Sequence, residues 1–223
     1  AFCVSCSAAR VAWMLPPRMQ DVHDPVQAPT LKACITGARQ QLADRSVWLI
    51  GILATIVILV PFATRDTLTP VYAEQLGARA GILALLGNIH LLFYGLAIAL
   101  CSSVFYQRLG LVKTAVLGIV LQVISTFGIP FTSNIYVIYL WQALAGFSFG
   151  MAFAAFMSLS VVNTTSDEQS TRMGLFQTIY SCGMFVGPVM MGVMMQHINL
   201  SSGYLLIAAL SVISAIATPL SAR

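Results

Sequence analysis

Six runs of this chain are long and apolar enough to be membrane spans, and none holds an Asp, Glu, Lys or Arg in its middle. A helix needs roughly 20 such residues to cross the hydrocarbon core of a bilayer. Charges inside a bilayer are expensive and are usually kept for function. The charges this chain does carry gather between the runs. Only 8% of its 223 residues are charged, against roughly 25% in soluble domains. The expected fold is therefore all-α, a polytopic transmembrane helix bundle whose first partner is the lipid bilayer. The net charge of +4 needs no nucleic acid to explain it and reads as loop charge biased to one side of a membrane.

Three parts are expected. Residues 1–14 read as the tail of a preceding transmembrane helix, so the chain is expected to be a fragment. Residues 15–46 form a polar linker punctuated by Pro16, Pro17, Pro25 and Pro29. Residues 47–221 hold the spans, at about 47–63, 81–105, 111–131, 135–161, 172–196 and 204–220. Pro61 lacks the amide donor a helix interior needs, which predicts a break there and a loop over 64–80. On alternate sides of the bundle, Arg18, Lys32, Arg39, Arg45, Arg108, Lys113, Arg172 and Arg223 face Arg65 and Arg79. The positive-inside bias places the larger group, with loop 15–46 and the C-terminus, in the cytoplasm.

Metal and catalytic chemistry find little to work with. The five cysteines, an odd number, show no disulfide framework. Cys3 and Cys6 are spaced as a CxxC, but no second pair or histidine cluster accompanies them, and buried small residues is the favoured reading. His90 is the one histidine in a span interior, and a membrane hydrolase needs several convergent His, Asp or Glu. The chain is read as a non-enzyme with no cofactor and no metal.

Several neutral polar side chains do sit inside spans: Asn88, His90 and Tyr94 on the second, Tyr139 and Gln142 on the fourth, Gln177 and Tyr180 on the fifth. Each admits two readings, a contact with solute in a cavity or an interhelical hydrogen bond. Arg65 and Asp66 are candidates for an outer gate, or else a solvated local pair. Small residues recur at four-residue spacing in Gly146 and Gly150, and in Gly183-x-x-x-Gly187-Pro188-x-x-x-Gly192. Such stripes let backbones approach closely, and Pro188 adds a bend. Arg79-x-Gly81 and Arg172-x-Gly174 open two spans three apart, the sign of an inverted three-plus-three repeat or of chance.

Three stretches, taken in order, resemble the major facilitator superfamily. Ser103 to Lys113, with Gln107, Arg108 and Gly110, looks like a degenerate copy of that family's Gly-x-x-x-Asp-Arg-x-Gly-Arg-Lys cytoplasmic turn. Tyr139 to Gly150 looks like its fourth-helix pattern, with Gln142 where the family has Arg. Gly183 to Pro188 looks like its fifth-helix Gly-Pro motif. The resemblance implies the C-terminal six-helix half of a secondary transporter working by alternating access. The missing N-terminal half would lie on the same chain, and the first, second, fourth and fifth spans would line the cavity. The partner would be a small organic solute, with a proton as the candidate coupling ion; the neutral and partly aromatic polar side chains inside the spans lean towards a neutral or amphipathic solute. A transporter-like receptor or scaffold without transport, and more remotely a polytopic membrane enzyme, are the alternatives.

Overall fold

The computed structural model describes residues 37, 39, 41–162, 164–197 and 199–221. The expected helix tail with Cys3 and Cys6, most of the linker and the C-terminal Arg223 lie outside the described residues. Among those described there is no strand, and six helices are long and apolar enough to cross a membrane: α1 (Arg45–Gln75), α2 (Ala80–Leu109), α3 (Leu111–Phe131), α4 (Ile135–Val161), α5 (Glu168–Met195) and α6 (Leu200–Pro219).

α1 is longer than the sequence predicts. The helix does not break at Pro61 but runs on to Gln75, through a π-helical turn at Thr64–Leu68. Pro61 leaves the carbonyl of Val57, four residues back, without its helical donor. In a membrane that oxygen must find another partner. It does: Gln122 of α3 donates its Nε2 to Val57 O at 3.1 Å. The expected loop over 64–80 therefore shrinks to the few residues after Gln75. There Gly77, at φ +85°, closes the helix with bonds from its own N–H to Glu74 O and from Ala78 N–H to Ala73 O, the Schellman pattern.

The ends are capped by local chemistry. Asp44 caps α1 by accepting the Ser46 N–H at 2.9 Å, and Asn134 caps α4 by accepting the Tyr136 N–H at 2.9 Å. Gly110, at φ +77°, turns the chain between α2 and α3, a conformation that side chains with a Cβ resist. Between α3 and α4 the short turn is held by Trp141 Nε1 donating to Thr132 Oγ1 at 2.9 Å and Tyr72 Oη to Thr132 O at 2.9 Å.

α1 and α4 are central. In their apolar windows 61% and 50% of residues are buried, against 17% for both α2 and α5. α4 packs on α2 and α3, α1 on α5 and α6, and α3 and α6 on each other. Spans α3 and α6 thus stand behind α1 and α4, while α2 and α5 flank them. The main apolar core lies where α1, α3, α4 and α5 meet, around Val57, Ile119, Ala152, Phe156 and Phe176.

Candidate functional site

The π-turn of α1 decides what faces the cavity. A π-turn inserts a residue into the helix and re-aims the side chains beyond it. Here it carries Arg65 and Asp66, which the sequence places in a loop and the structure places inside a spanning helix. Arg65 grips Asp66 with two bonds, Nε to Oδ1 at 2.6 Å and Nη2 to Oδ2 at 2.8 Å. Its guanidinium also lies 5.8 Å from the Phe62 ring centre, within cation–π range. The pair is partly covered, at 24% and 36% side-chain exposure, so it is neither a free surface pair nor a dry one.

A cavity of about 240 Å³ opens beside this pair, lined by Arg65, Asp66 and Thr69 of α1, Leu86 and Gly87 of α2, and Gln142 of α4. Gln142 is buried and donates its Nε2 to Thr69 Oγ1 at 3.0 Å; Thr69 pairs in turn with Tyr204 Oη of α6 at 2.9 Å. The amide oxygen of Gln142 has no partner among the described residues. One turn deeper, His90 is 1% exposed, and neither ring nitrogen meets a hydrogen-bonding group at sound geometry, although Gln142 approaches it. Buried polar atoms are bonded in the great majority of cases, and the Gln142 amide oxygen and the two His90 ring nitrogens are exceptions here.

Below His90 the wall turns aromatic. Tyr94 stacks on Phe149 at 5.2 Å, Phe149 on Phe153 at 5.5 Å, and Phe153 meets Tyr180 edge-on at 5.4 Å. The run joins α2, α4 and α5. Tyr94, Phe153 and Tyr180 stay half-buried.

The other residues singled out from the sequence fall elsewhere. Asn88 and Gln177 are exposed on α2 and α5. Tyr139 packs with Leu86 and Ile138 and reaches Ile82 O at a long 3.4 Å; it does not line the cavity. The side chains of Gln107, Arg108 and Lys113 are exposed and form no hydrogen bond or ion pair among the described residues. Gly146 and Gly150 abut the backbone of α2 at His90 and Tyr94, and Gly183 and Gly187 abut α1 at Thr55 and Leu59. Gly192 differs: a Cβ there would meet nothing within 4 Å, because its face of α5 has no neighbour. Pro188 lies within an unbroken helix.

Four participants carry no signal in the sequence: Thr69 falls in the expected loop over 64–80, Phe149 and Phe153 are ordinary apolar span residues, and Arg172 is a charge at the start of a span. Arg172 is 8% exposed and clasps three elements. Its Nε donates to Ser160 O of α4 at 2.8 Å, and its Nη1 to Gln41 Oε1 at 2.9 Å and Asp44 Oδ2 at 2.6 Å. That hydrogen bond from Arg172, with the Ser46 N–H, holds the Asp44 carboxyl below its usual value of 3.8.

Among the described residues, six apolar helices, packed closely through glycine beside a half-open cavity of mixed polar and apolar lining, define a polytopic membrane protein. The chain belongs to the Major Facilitator Superfamily, whose sequence model matches residues 47–222. It is thus an integral membrane protein of a transporter family. Comparison with curated proteins returned no match.

Proposed function

We propose that this chain is the C-terminal half of a secondary transporter that carries a small organic solute by alternating access. The observation that carries the reading is the cavity at Arg65, Asp66 and Gln142, placed between the two central helices and a flank joined to them through glycine. Contacts through glycine and backbone carbonyls let helices shift against each other without first unpicking long side chains. A site at the junction of moving elements is what alternating access requires.

The arrangement of contacts supports an inverted three-plus-three repeat. Exchanging α1 with α4, α2 with α5 and α3 with α6 turns the α1–α5 pairing into the α4–α2 pairing and leaves α3–α6 on itself. The Asp44 cap of α1 exchanges with the Asn134 cap of α4. In this reading the first six helices precede residue 47 on the same chain and close the cavity from the other side. The linker 15–46 and the C-terminus lie in the cytoplasm. Asp66 is the carboxylate that lines the cavity, and proton coupling through this half would run through it.

Gly87 has open space around it on the cavity wall, so Gly87→Cys fits without disturbance. In a background whose other cysteines are replaced, a membrane-impermeant maleimide is added to vesicles from either side. Labelling from both sides is expected. Labelling from one side under every condition, including a wide panel of solutes, would sink alternating access and leave the receptor or scaffold reading.

A further inference from the structure

We propose that the cavity holds the polar head of a flat aromatic solute bearing a hydroxyl, whose rings lie along the wall made by Tyr94, Phe149, Phe153 and Tyr180. The inference rests on the transporter reading and adds the class of solute.

Size comes first. A cavity of about 240 Å³ is smaller than the roughly 300–1,000 Å³ that encloses a whole drug-sized ligand. It fits a head group, and the rest of the ligand must lie against an adjoining surface. Two parallel stripes supply that surface. On α2, Gly87 and Tyr94 are seven residues apart; on α4, Gln142 and Phe149 are seven apart. Seven residues are two turns, about 10 Å along each axis, so both stripes lead from the cavity to the stacked rings. Tyr94 and Phe149 already lie nearly parallel, at 21°, and Phe149 and Phe153 repeat that angle. Phe149 is stacked on both faces, so a solute meets this wall at the ring edges; a flat aromatic face takes such edges in the favourable T-shaped arrangement, which an aliphatic body cannot.

The chemistry of the head follows from what is left unbonded. Gln142 Oε1 is buried with no partner and asks for a donor. Arg65 has N–H groups beyond the two it gives Asp66 and asks for an acceptor. A hydroxyl does both at once. The Arg65–Asp66 pair is neutral as a unit, so it offers no net attraction to a strong anion or cation.

The test uses the full-length protein in lipid nanodiscs. Calorimetric titration compares 2-naphthalenemethanol with its saturated counterpart, decahydro-2-naphthalenemethanol, with empty nanodiscs as the blank. The aromatic alcohol is expected to bind about fivefold more tightly. Tyr94→Leu is expected to erase that preference. Gln142→Leu, and independently Thr69→Val, are expected to weaken the alcohol but not 2-methylnaphthalene. Equal binding of the two alcohols, with both lost in Gln142→Leu, would overturn the aromatic class while the transporter reading stands. No saturable binding by either alcohol, or binding indifferent to Gln142→Leu and Thr69→Val, would overturn the proposed site. The transporter reading is then judged separately by the accessibility of position 87.

Discussion

Gly146 of α4 lies so close to the carbonyl oxygen of His90 on α2 that no Cβ fits between them. One turn on, a Cβ at Gly150 would stand 2.6 Å from Tyr94 O. Two successive glycines thus seat α4 on the backbone of α2 and set the level at which His90 and Tyr94 meet Phe149.

Gly146→Ala is therefore expected to destabilise the protein. Alanine brings a helix-propensity gain of about 0.5–1 kcal/mol. Overpacking costs about 1–3 kcal/mol where side chains can adjust, and a backbone carbonyl cannot rotate away. The loss should win, lowering the midpoint of thermal unfolding in detergent. Gly192→Ala, with open space around it, is the control and should leave the midpoint unchanged or slightly raised. Equal behaviour of the two variants would refute the close approach.

Pro61 and Gln122 form a second linked pair, since the glutamine serves the carbonyl that the proline frees. Gln122→Leu strands Val57 O inside the bundle, at a cost of about 1–3 kcal/mol. Pro61→Ala in that background restores the helical donor and should recover much of the loss. The double-mutant cycle measures the coupling directly. Additive effects would show that Val57 O is satisfied by something else.

How far the sequence could be read follows from these same residues. Hydropathy marks the spans because a bilayer tolerates few alternatives to an apolar helix. It missed the end of α1, from Thr64 to Gln75, because a Thr-Arg-Asp-Thr run looks like a loop; that Arg65 and Asp66 bond to each other inside a helix is not visible in their order along the chain. Four-residue glycine spacing shows which residues share a face. It does not show what stands opposite, so Gly192 looked like Gly183 although only one has a neighbour. Gln142 was legible as an odd polar residue in a span, but its partner Thr69 lies 73 positions away. Of the aromatic wall, Tyr94 and Tyr180 drew notice for their hydroxyls; Phe149 and Phe153, which join them, carry no polar signal at all.

The Arg172 clasp gives a pH dependence with a definite sign. Asp44 titrates below 3.8 in the folded chain because Arg172 and the Ser46 N–H favour its ionised form. Its contribution to stability is complete above that value. It falls as pH drops past 3.8, where the unfolded chain takes up the proton first, and is gone once the folded carboxyl is protonated. Asp44 is 41% exposed, so solvent screening keeps the effect small. Asp44→Asn should flatten the acid limb of stability against pH without moving the neutral plateau far. Arg172→Ala should be worse than Asp44→Asn, because it also strips the bonds to Ser160 O and Gln41. A steeper acid limb in Asp44→Asn would contradict the assignment.

Arg65 and Asp66 are expected to depend on each other more than on their surroundings. Removing one partner of a fully buried pair costs about 3–5 kcal/mol, since the survivor is an uncompensated charge. Exposed pairs are worth about 0–1 kcal/mol. At 24% and 36% exposure this pair falls between, and Asp66→Asn should cost about 1–3 kcal/mol. Asp66→Asn leaves the Arg65 guanidinium over Phe62 with no counter-charge in the cavity, whereas Arg65→Gln leaves a carboxylate. The double variant Arg65→Gln with Asp66→Asn keeps a hydrogen-bonding pair of similar size and removes both charges. It should therefore be more stable than either single variant, as read by thermal unfolding and by yield in the membrane. Transport should separate from stability in the same set. A double variant that is stable yet inactive would mark the charges as needed for the solute or its coupling ion, and one that is stable and active would reduce the pair to a structural staple of the π-turn.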